Sequence, residues 1–181
     1  MIGLDRKTVL LAPHRIEWKS FFESEAALLR QTIGDYVAVE HIGSTAIPGL
    51  DAKPIIDILV GVQSAEDAKK CIAPLAQIGY EYRGAQGIAG RLYFRKGMGE
   101  ISTHHLNVVE RTSDFWRTHL LFRDYLRQHR EVAQEYGKLK HELARKYKGN
   151  RLAYTEAKAA FIESALERAV ASSNALSDRC R

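Results

Sequence analysis

Hydrophobic residues recur at two different spacings along this chain, and the change of spacing predicts its secondary structure. Between residues 15 and 33 the apolar positions Trp18, Phe22 and Leu29 lie four and seven residues apart, the spacing of one helix face. Strands are predicted where short runs are apolar, β-branched or alternating: Thr8–Ala12, Tyr36–Ile42, Ile55–Val60, Gly79–Tyr82, Arg91–Lys96 and Ile101–Val109. The first half of the chain therefore predicts a sheet.

A second helix is predicted within this half, from the cap residue Ser64 to Gly79, with Pro74 distorting its last turn. From residue 112 onward the apolar stripes have helical spacing only. They run from Phe115 to His129, from Val132 to Tyr147 and from Tyr154 to Ala169. In this half, Arg123 and Asp124 are predicted to form a buried pair with Lys158 or with a neighbouring helix.

The two halves are joined without a polar linker, which predicts one domain over residues 1–171. Its sheet-containing part covers about 1–110 and its helical part about 112–171, and residues 172–181 lose the pattern and are predicted to be a frayed tail. The predicted fold class is α+β, a mixed sheet with helices and a C-terminal helical half.

Composition narrows the class of protein without identifying a function. The chain has 181 residues, 45% of them hydrophobic and 27% charged, which is typical of one globular domain. It has neither a membrane-length apolar run nor an export signal, and Cys71 and Cys180 have no disulfide or metal spacing, so a cytoplasmic protein is expected. The net charge of +5 favours phosphates. Nucleic acid is disfavoured, because the aromatic residues lie on core stripes.

One stretch, EHIGSTAIPGLDAKPIIDILVGV (residues 40–62), joins a Gly-Ser turn to a carboxylate within an apolar strand. Side chains alternate along a strand, so Asp57 shares a face with Ile55 and Leu59. A carboxylate in such a strand loses hydration, which is unfavourable unless it finds a metal, a cation or several donors. Two roles for Asp57 remain open, namely binding a ligand or metal and capping a neighbouring turn.

The turn before this strand is a candidate phosphate site. Gly43 permits tight backbone geometry, and Ser44 offers a hydroxyl beside exposed amide groups, which together can hold a phosphate oxygen. Lys53 can place an ammonium near an anion held there. Because Gly-Ser and Pro-Gly are common turn dipeptides, only their combination with Asp57 points to a ligand.

Two further predicted strands carry candidate ligand residues. Arg91 and Arg95 share a face and can bind phosphate through their guanidinium forks, or they can protect a solvated edge strand. His105 and Asn107 also share a face and can present an imidazole and an amide toward Asp57. An imidazole suits zinc or manganese better than magnesium. Ordinary hydrogen-bonded strand positions remain the alternative for this pair.

Several motifs of this sequence resemble known families. Ile42, Gly43 and Ser44, a dozen residues before an aspartate on an apolar strand, resemble the signature of the nucleotidyltransferase superfamily. The segments HIGSTAIPGLDAKPIIDI, YFRKG, THHLNVV, FRDYLR, YGKLK and YTEAKAAFI together resemble the GrpB family. This resemblance implies a nucleotidyltransferase-like mixed sheet flanked by helices, in a domain that occurs alone or fused C-terminal to dephospho-coenzyme A kinase.

The resemblance also implies a site chemistry that this sequence matches only in part. Active members of the superfamily hold a triphosphate at the serine turn and two divalent ions on paired carboxylates. Here the pair is incomplete, because the same-face partner of Asp57 is Ile55 in one alignment and Leu59 in the other. One carboxylate holds a hard cation weakly.

The candidate residues divide into three groups by role. Asp57 is the candidate catalytic base, whose pKa burial is expected to raise toward neutrality. A divalent ion (Mg²⁺, Mn²⁺ or Zn²⁺) is assigned to Asp57, His105 and Asn107, and phosphate to Gly43, Ser44, Lys53, Arg91 and Arg95.

Two functions remain open from the sequence. One is a nucleotidyl or phosphoryl transferase that acts on a nucleotide or another phosphorylated small molecule. The other is a binding module, or a module that stabilises a protein partner, without turnover. The missing carboxylate favours the second function or an unusual chemistry, and the sequence identifies no protein partner.

Overall fold

A computed structural model describes residues 2–6, 8–35 and 37–179 of the chain. The elements are β1 (Leu4–Asp5), α1 (Glu17–Ile33), β2 (Ala38–Ile42), β3 (Ile56–Val62), α2 (Ala65–Lys70), α3 (Ile72–Gln77), β4 (Tyr80–Tyr82), β5 (Leu92–Met98), β6 (Ile101–Glu110), α4 (Asp114–Gln128), α5 (Arg130–Lys146), α6 (Arg151–Glu156) and α7 (Ala159–Arg179). A short 3-10 helix, Ser44–Ala46, follows β2. No helix in the described part of the chain is long and apolar enough to cross a bilayer.

A six-stranded mixed sheet organises these elements. Its order is β2-β3-β6-β5-β4, and β1 pairs with β6. β3 and β6 run parallel, whereas β2 with β3 and β5 with β6 run antiparallel. The parallel register sets Asp57 opposite His105 and Leu59 opposite Asn107. The fold is thus the predicted α+β class, and the register brings two predicted site residues side by side.

Helices cover both faces of the sheet. The face that carries Ile58 packs against α1, α2 and α3 in the largest core cluster, where Trp18 and Leu29 are fully buried. On the opposite face, Leu59 contacts a smaller cluster that includes Trp116 of α4. Beyond it, α4, α5 and α7 share their own apolar core. Asp57 therefore lies on the face covered by the C-terminal helices.

The strand predicted over Thr8–Ala12 is wrong. Only Ala12 pairs, in a single antiparallel bridge to Ala52. Pro13 and Pro54 flank this bridge and lack the N–H that a ladder needs, which limits the pairing to one residue on each side. The first strand is instead β1, near the start of the chain. Predicted strand Tyr36–Ile42 corresponds to β2, although Tyr36 itself lies outside the described residues.

The predicted helix from Ser64 to Gly79 is divided into α2 and α3 at Cys71. Ser64 caps it as predicted, because its hydroxyl accepts a hydrogen bond from the Asp67 amide at 3.2 Å. Pro74 has no N–H to donate to the carbonyl four residues earlier, so the break falls before the proline rather than in the last turn.

The C-terminal stripes form α4 to α7, with the last predicted helix divided into α6 and α7. The helix α7 continues to Arg179, so the backbone predicted to be frayed is helical through that residue. Cys180 and Arg181 lie outside the described residues. Arg123 is buried and pairs with Asp124 as predicted, but its further partner is Glu40 of strand β2 rather than Lys158 or a neighbouring helix.

Candidate functional site

The Gly-Ser turn and Asp57 meet because a glycine stands between them. Gly43 has φ +70°, and a Cβ placed on it would lie 2.5 Å from Oδ2 of Asp57. No other residue type fits so close to the carboxylate. Ser44 begins the 3-10 helix that follows, and its side chain lines the same cavity as Asp57. The Gly-Ser turn and Asp57 therefore line one small cavity, as the sequence predicts.

This space is a cavity of about 150 Å³ between the sheet and the C-terminal helices, termed the inner cavity here. Its polar lining includes Ser44, Thr45, Lys53, Asp57, His105, Lys140 and Lys158. Tyr136 and Tyr154, from α5 and α6, contribute rings to its wall. The inner cavity thus combines residues from the Gly-Ser turn, strands β3 and β6, helices α5 and α6, and the short turn between α6 and α7.

Asp57 and His105 form a hydrogen-bonded pair across the parallel strands. Oδ1 of Asp57 lies 3.0 Å from Nδ1 of His105, with 35% and 12% of the two side chains exposed. Burial favours a raised pKa for Asp57, but the hydrogen bond from His105 and the positive charge of Lys53 outweigh it, so the pKa is lowered. The expectation that burial raises this pKa toward neutrality is therefore wrong. Asp57 is a carboxylate at neutral pH and a poor general base.

Lys53 and Lys158 line the inner cavity beside this pair, and both lie over the Tyr154 ring. Their ammonium nitrogens lie 5.6 and 4.5 Å from the ring centroid. Burial, helped by the positive charges of Arg151 and Lys158, lowers the pKa of Lys53 to about 7. Burial also lowers the pKa of Lys158 to about 8, despite its attraction to Asp57. In the described part of the chain, neither lysine forms an ion pair within 4.0 Å.

A wider cleft of about 460 Å³ opens next to the inner cavity, termed the outer cleft here. It shares Lys53, His105 and Lys158 with the inner cavity and adds Arg6, Arg83, Arg91, Arg95 and Arg151. Among the described residues, no acidic side chain lines it. Glu100 and Glu81 approach from outside and pair with some of these arginines. The cleft nevertheless keeps a strongly positive lining, which attracts anions.

The predicted arginines line this cleft but already have partners. Arg91 donates hydrogen bonds to the backbone carbonyls of Ala85 and Gln86 and lies 3.4 Å from Oδ1 of Asn107. Arg95 donates two hydrogen bonds of 3.0 Å to the Gly99 carbonyl. The structure therefore brings both predicted anion contacts to the outer cleft, away from the inner cavity.

Of the three predicted metal ligands, Asp57 and His105 contact each other, whereas the contacts of Asn107 are with other residues. Asn107 is opposite Leu59, and its amide is engaged by Arg91 and by the Ile58 carbonyl at 3.4 Å. Asp57 and His105 remain, and among the described residues no group of three His, Cys, Asp or Glu side chains is arranged to hold a metal ion. Buried cations nearby further disfavour a divalent ion. The donor set does not fit a two-ion centre.

Sequence reasoning missed the cations that the C-terminal helices supply. Lys140 is 2% exposed, its pKa is lowered by burial to about 7, and its ammonium donates to the Asp51 carbonyl. Lys140 and Lys158 each follow a buried tyrosine by four residues, Tyr136 and Tyr154, and each ammonium lies over the ring of that tyrosine, 5.1 and 4.5 Å from its centroid. This repeated Tyr-x-x-x-Lys spacing, within YGKLK and YTEAKAAFI, is the signal that could have revealed them.

Comparison with known proteins places this chain in a family. A family model described as GrpB protein matches residues 8–168. Glutamate-rich protein GrpB of Alkalihalophilus pseudofirmus is 40% identical over 171 residues, which span 92% of this chain and 98% of that protein. A dephospho-CoA kinase of Mycolicibacterium paratuberculosis is 35% identical over 79 residues, 41% of this chain and 19% of the kinase, which agrees with the expected fusion.

Solved structures give the same answer at the level of the fold. The crystal structure of conserved protein GrpB from Enterococcus faecalis matches with a TM-score of 0.82 and 38% identity, covering 90% of this chain and 98% of that one. The Cid1 poly(U) polymerase bound to MgATP matches with a TM-score of 0.53 and 15% identity, covering 74% and 44%. The second likeness shows the nucleotidyltransferase-like fold alone. With a family model matching most of its length and a 40% identical relative, the chain belongs to the GrpB family.

Proposed function

We propose that this chain binds a nucleotide or another phosphorylated ligand, with its terminal phosphate in the inner cavity and the rest in the outer cleft. One observation carries the proposal: Lys53 and Lys158 face the cavity of the Ser44 turn, and no carboxylate of the described residues lies within 4.0 Å of either ammonium. Buried ammonium groups are unfavourable unless they are paired, and a phosphate would pair both.

The dimensions of the site support a ligand of this kind. The inner cavity, about 150 Å³, suits a phosphate group, and the outer cleft of about 460 Å³ can take a larger body. Together they lie within the range of about 300–1,000 Å³ that is usual for small-molecule sites. The nucleotide-bound Cid1 polymerase shares the fold, which supports a nucleotide as the first candidate. A cytoplasmic location, where nucleotides are abundant, is part of the proposal.

Ordinary two-ion nucleotidyl transfer is the less supported alternative. Ile55 and Leu59 are 2% and 0% exposed, and they occupy the positions where a second carboxylate would stand. Two divalent ions need several shared anionic oxygens, and Asp57 alone does not supply them. Ligand binding is therefore the function that this geometry supports best, with turnover restricted to chemistry that the remaining side chains can perform.

Thermal unfolding with and without ligands tests the proposal. We expect ATP, UTP or inorganic tripolyphosphate to raise the Tm, because a ligand at about 100 times its Kd adds about 2.7 kcal/mol to the free energy of unfolding. Lys53→Met and Lys158→Met should each remove most of this shift. Lys19→Met is the matched control, because 77% of that side chain is exposed on α1.

The measurement can contradict the proposal in two ways. The first contradicting outcome is that none of the phosphorylated compounds raises the Tm, with or without a divalent ion. The second is that the Tm shift persists unchanged in both Lys53→Met and Lys158→Met. In the first case the cations of the inner cavity do not serve an external anion. In the second case the anion binds elsewhere on this basic chain.

A further inference from the structure

We propose that His105 is a catalytic residue, whose Nε2 accepts a phosphoryl group from the ligand while Asp57 positions the ring. The inference rests on the proposed function, since it assigns a chemical step to the same phosphate site. The step depends on the contact between Asp57 of β3 and His105 of β6, which a two-ion centre would not require.

The hydrogen bonds around His105 fix which nitrogen is available. Asp57 is ionised and can only accept a hydrogen bond, so Nδ1 of His105 carries the proton in their 3.0 Å contact. On the other side of the ring, Nη2 of Arg151 lies 3.4 Å from Nε2. A guanidinium can only donate hydrogen bonds, so this contact indicates that Nε2 is unprotonated and accepts through its lone pair. The ring is thus held in its nucleophilic tautomer, as in a carboxylate–histidine pair of a catalytic triad.

The position of His105 suits transfer to or from a bound phosphate. Its side chain lines both the inner cavity and the outer cleft, at the boundary where Lys53 and Lys158 also lie. The Tyr93 ring packs against it with a centroid distance of 5.7 Å, which limits its rotation. Three cationic side chains, Lys53, Lys158 and Arg151, surround this boundary and can stabilise the charge on the phosphoryl oxygens.

The step balances without a metal ion or a redox partner. Nε2 attacks the terminal phosphorus of a phosphoanhydride or an acyl phosphate, and a P–N bond forms as the P–O bond to the leaving group breaks. The leaving phosphate or carboxylate takes the electron pair of that bond. The phosphorylated ring carries a positive charge, with its Nδ1 proton still held by Asp57, whose negative charge compensates it. Water or an acceptor oxygen then attacks the phosphorus, which releases Nε2.

Incubation of the whole chain with acetyl phosphate, a small acyl phosphate, tests this step. Intact-mass spectrometry should show the gain of one phosphoryl group that is lost in acid and retained in alkali, and phosphorus-coupled NMR should place it on Nε2. His105→Gln should abolish the gain. Asp57→Asn should slow it by about 10²-fold or more, because the tautomer is no longer fixed.

His104 provides the matched control on the same strand. It is 7% exposed on the opposite face of the sheet, with Nδ1 lying 2.9 Å from the Thr103 hydroxyl, so His104→Gln should be phosphorylated like the unmodified chain. The inference is overturned if the unmodified chain gains no phosphoryl group, or if His105→Gln, shown by circular dichroism to be folded, gains as much. A Tm shift with tripolyphosphate but no phosphorylation would refute the transfer step and leave the proposed binding site supported. If neither the Tm shift nor the phosphorylation is observed, both the binding site and the transfer step are refuted.

Discussion

The two faces of the sheet give neighbouring residues opposite environments. On β6, His104 turns toward α1, where its Nε2 lies 3.9 Å from Glu25, whereas His105 turns toward the helical half and lines both cavities. On β3, Ile58 is fully buried in the α1 core, whereas Asp57 keeps 35% of its side chain exposed in the inner cavity. Strand alternation thus separates a face that stabilises the fold from a face that carries the candidate chemistry.

Charged residues show the same difference more sharply. On the α1 face, Lys96 and Glu25 form an ion pair of 2.7 Å within the protein. On the cleft face, the described residues offer no such partner to Lys53 or Lys158. Removing one member of an internal ion pair lowers the free energy of unfolding. A buried charge without an ion-pair partner lowers the free energy of unfolding itself unless a ligand pairs with it. The following predictions test this division, from the largest expected effect to the smallest.

Truncation on the α1 face should produce the largest loss of stability. We expect Ile58→Ala to lower the free energy of unfolding by about 2–5 kcal/mol, because it removes buried apolar atoms and leaves a cavity. Urea unfolding measures the change. Leu152→Ala, at a side chain that is 69% exposed, is the control, and it should change stability by less than about 0.5 kcal/mol. Equal effects of the two substitutions would contradict a core on this face.

A methyl group on Gly43 should displace the Asp57 carboxylate and thereby disturb the inner cavity. Gly43→Ala should lower the free energy of unfolding by about 2–3 kcal/mol, because a strained φ adds to a clash with the carboxylate. It should also remove the ligand-induced Tm shift. Gly49 has a similar φ of +77° but no atom within 4 Å of the added Cβ, so Gly49→Ala should cost about 1 kcal/mol and keep the ligand response. Similar behaviour of both variants would mean that the close approach to Asp57 is unimportant.

Removing one lysine from each face should separate stability from binding. Lys96→Met removes the 2.7 Å ion pair with Glu25 and should lower the free energy of unfolding by about 1–3 kcal/mol, while the ligand response stays. Lys53→Met removes a buried ammonium that, among the described residues, forms no ion pair within 4.0 Å, so stability should stay equal or rise while the ligand response is lost. Urea unfolding and ligand-dependent Tm shifts on the same samples measure both. Loss of stability in Lys53→Met would show that an internal partner exists.

The pH dependence of stability should show the smallest effect. The pKa of Lys53 is about 7 in the folded chain, below its ordinary value, so above this pH the unfolded chain binds more protons and the free energy of unfolding rises with pH. Below about pH 7 both states are charged, and the full cost of burial is present. We expect the stability advantage of Lys53→Met over the unmodified chain to shrink by on the order of 1 kcal/mol from neutral to alkaline pH. A constant difference would contradict the lowered pKa.

The sequence predicted the local geometry of the site residues better than the contacts between residues that are distant along the chain. The alternation around Asp57, the shared face of His105 and Asn107, and the Gly43–Ser44 turn follow from local geometry, and the structure has each of them. Arg91 engages the amide of Asn107, a contact that the predicted grouping of Asp57, His105 and Asn107 did not include. Such a contact joins residues that are distant along the chain, and spacing does not encode it.

The sequence by itself determined the α+β class, the family and the absence of a second carboxylate beside Asp57, because these depend on residue identity and on periods of two and 3.6 residues. Only the tertiary structure decided that Lys158 and Arg151 of the C-terminal helices meet Lys53 at one cavity. It also reversed the expected pKa shift of Asp57, since that pKa depends on the sum of burial and nearby positive charges in three dimensions.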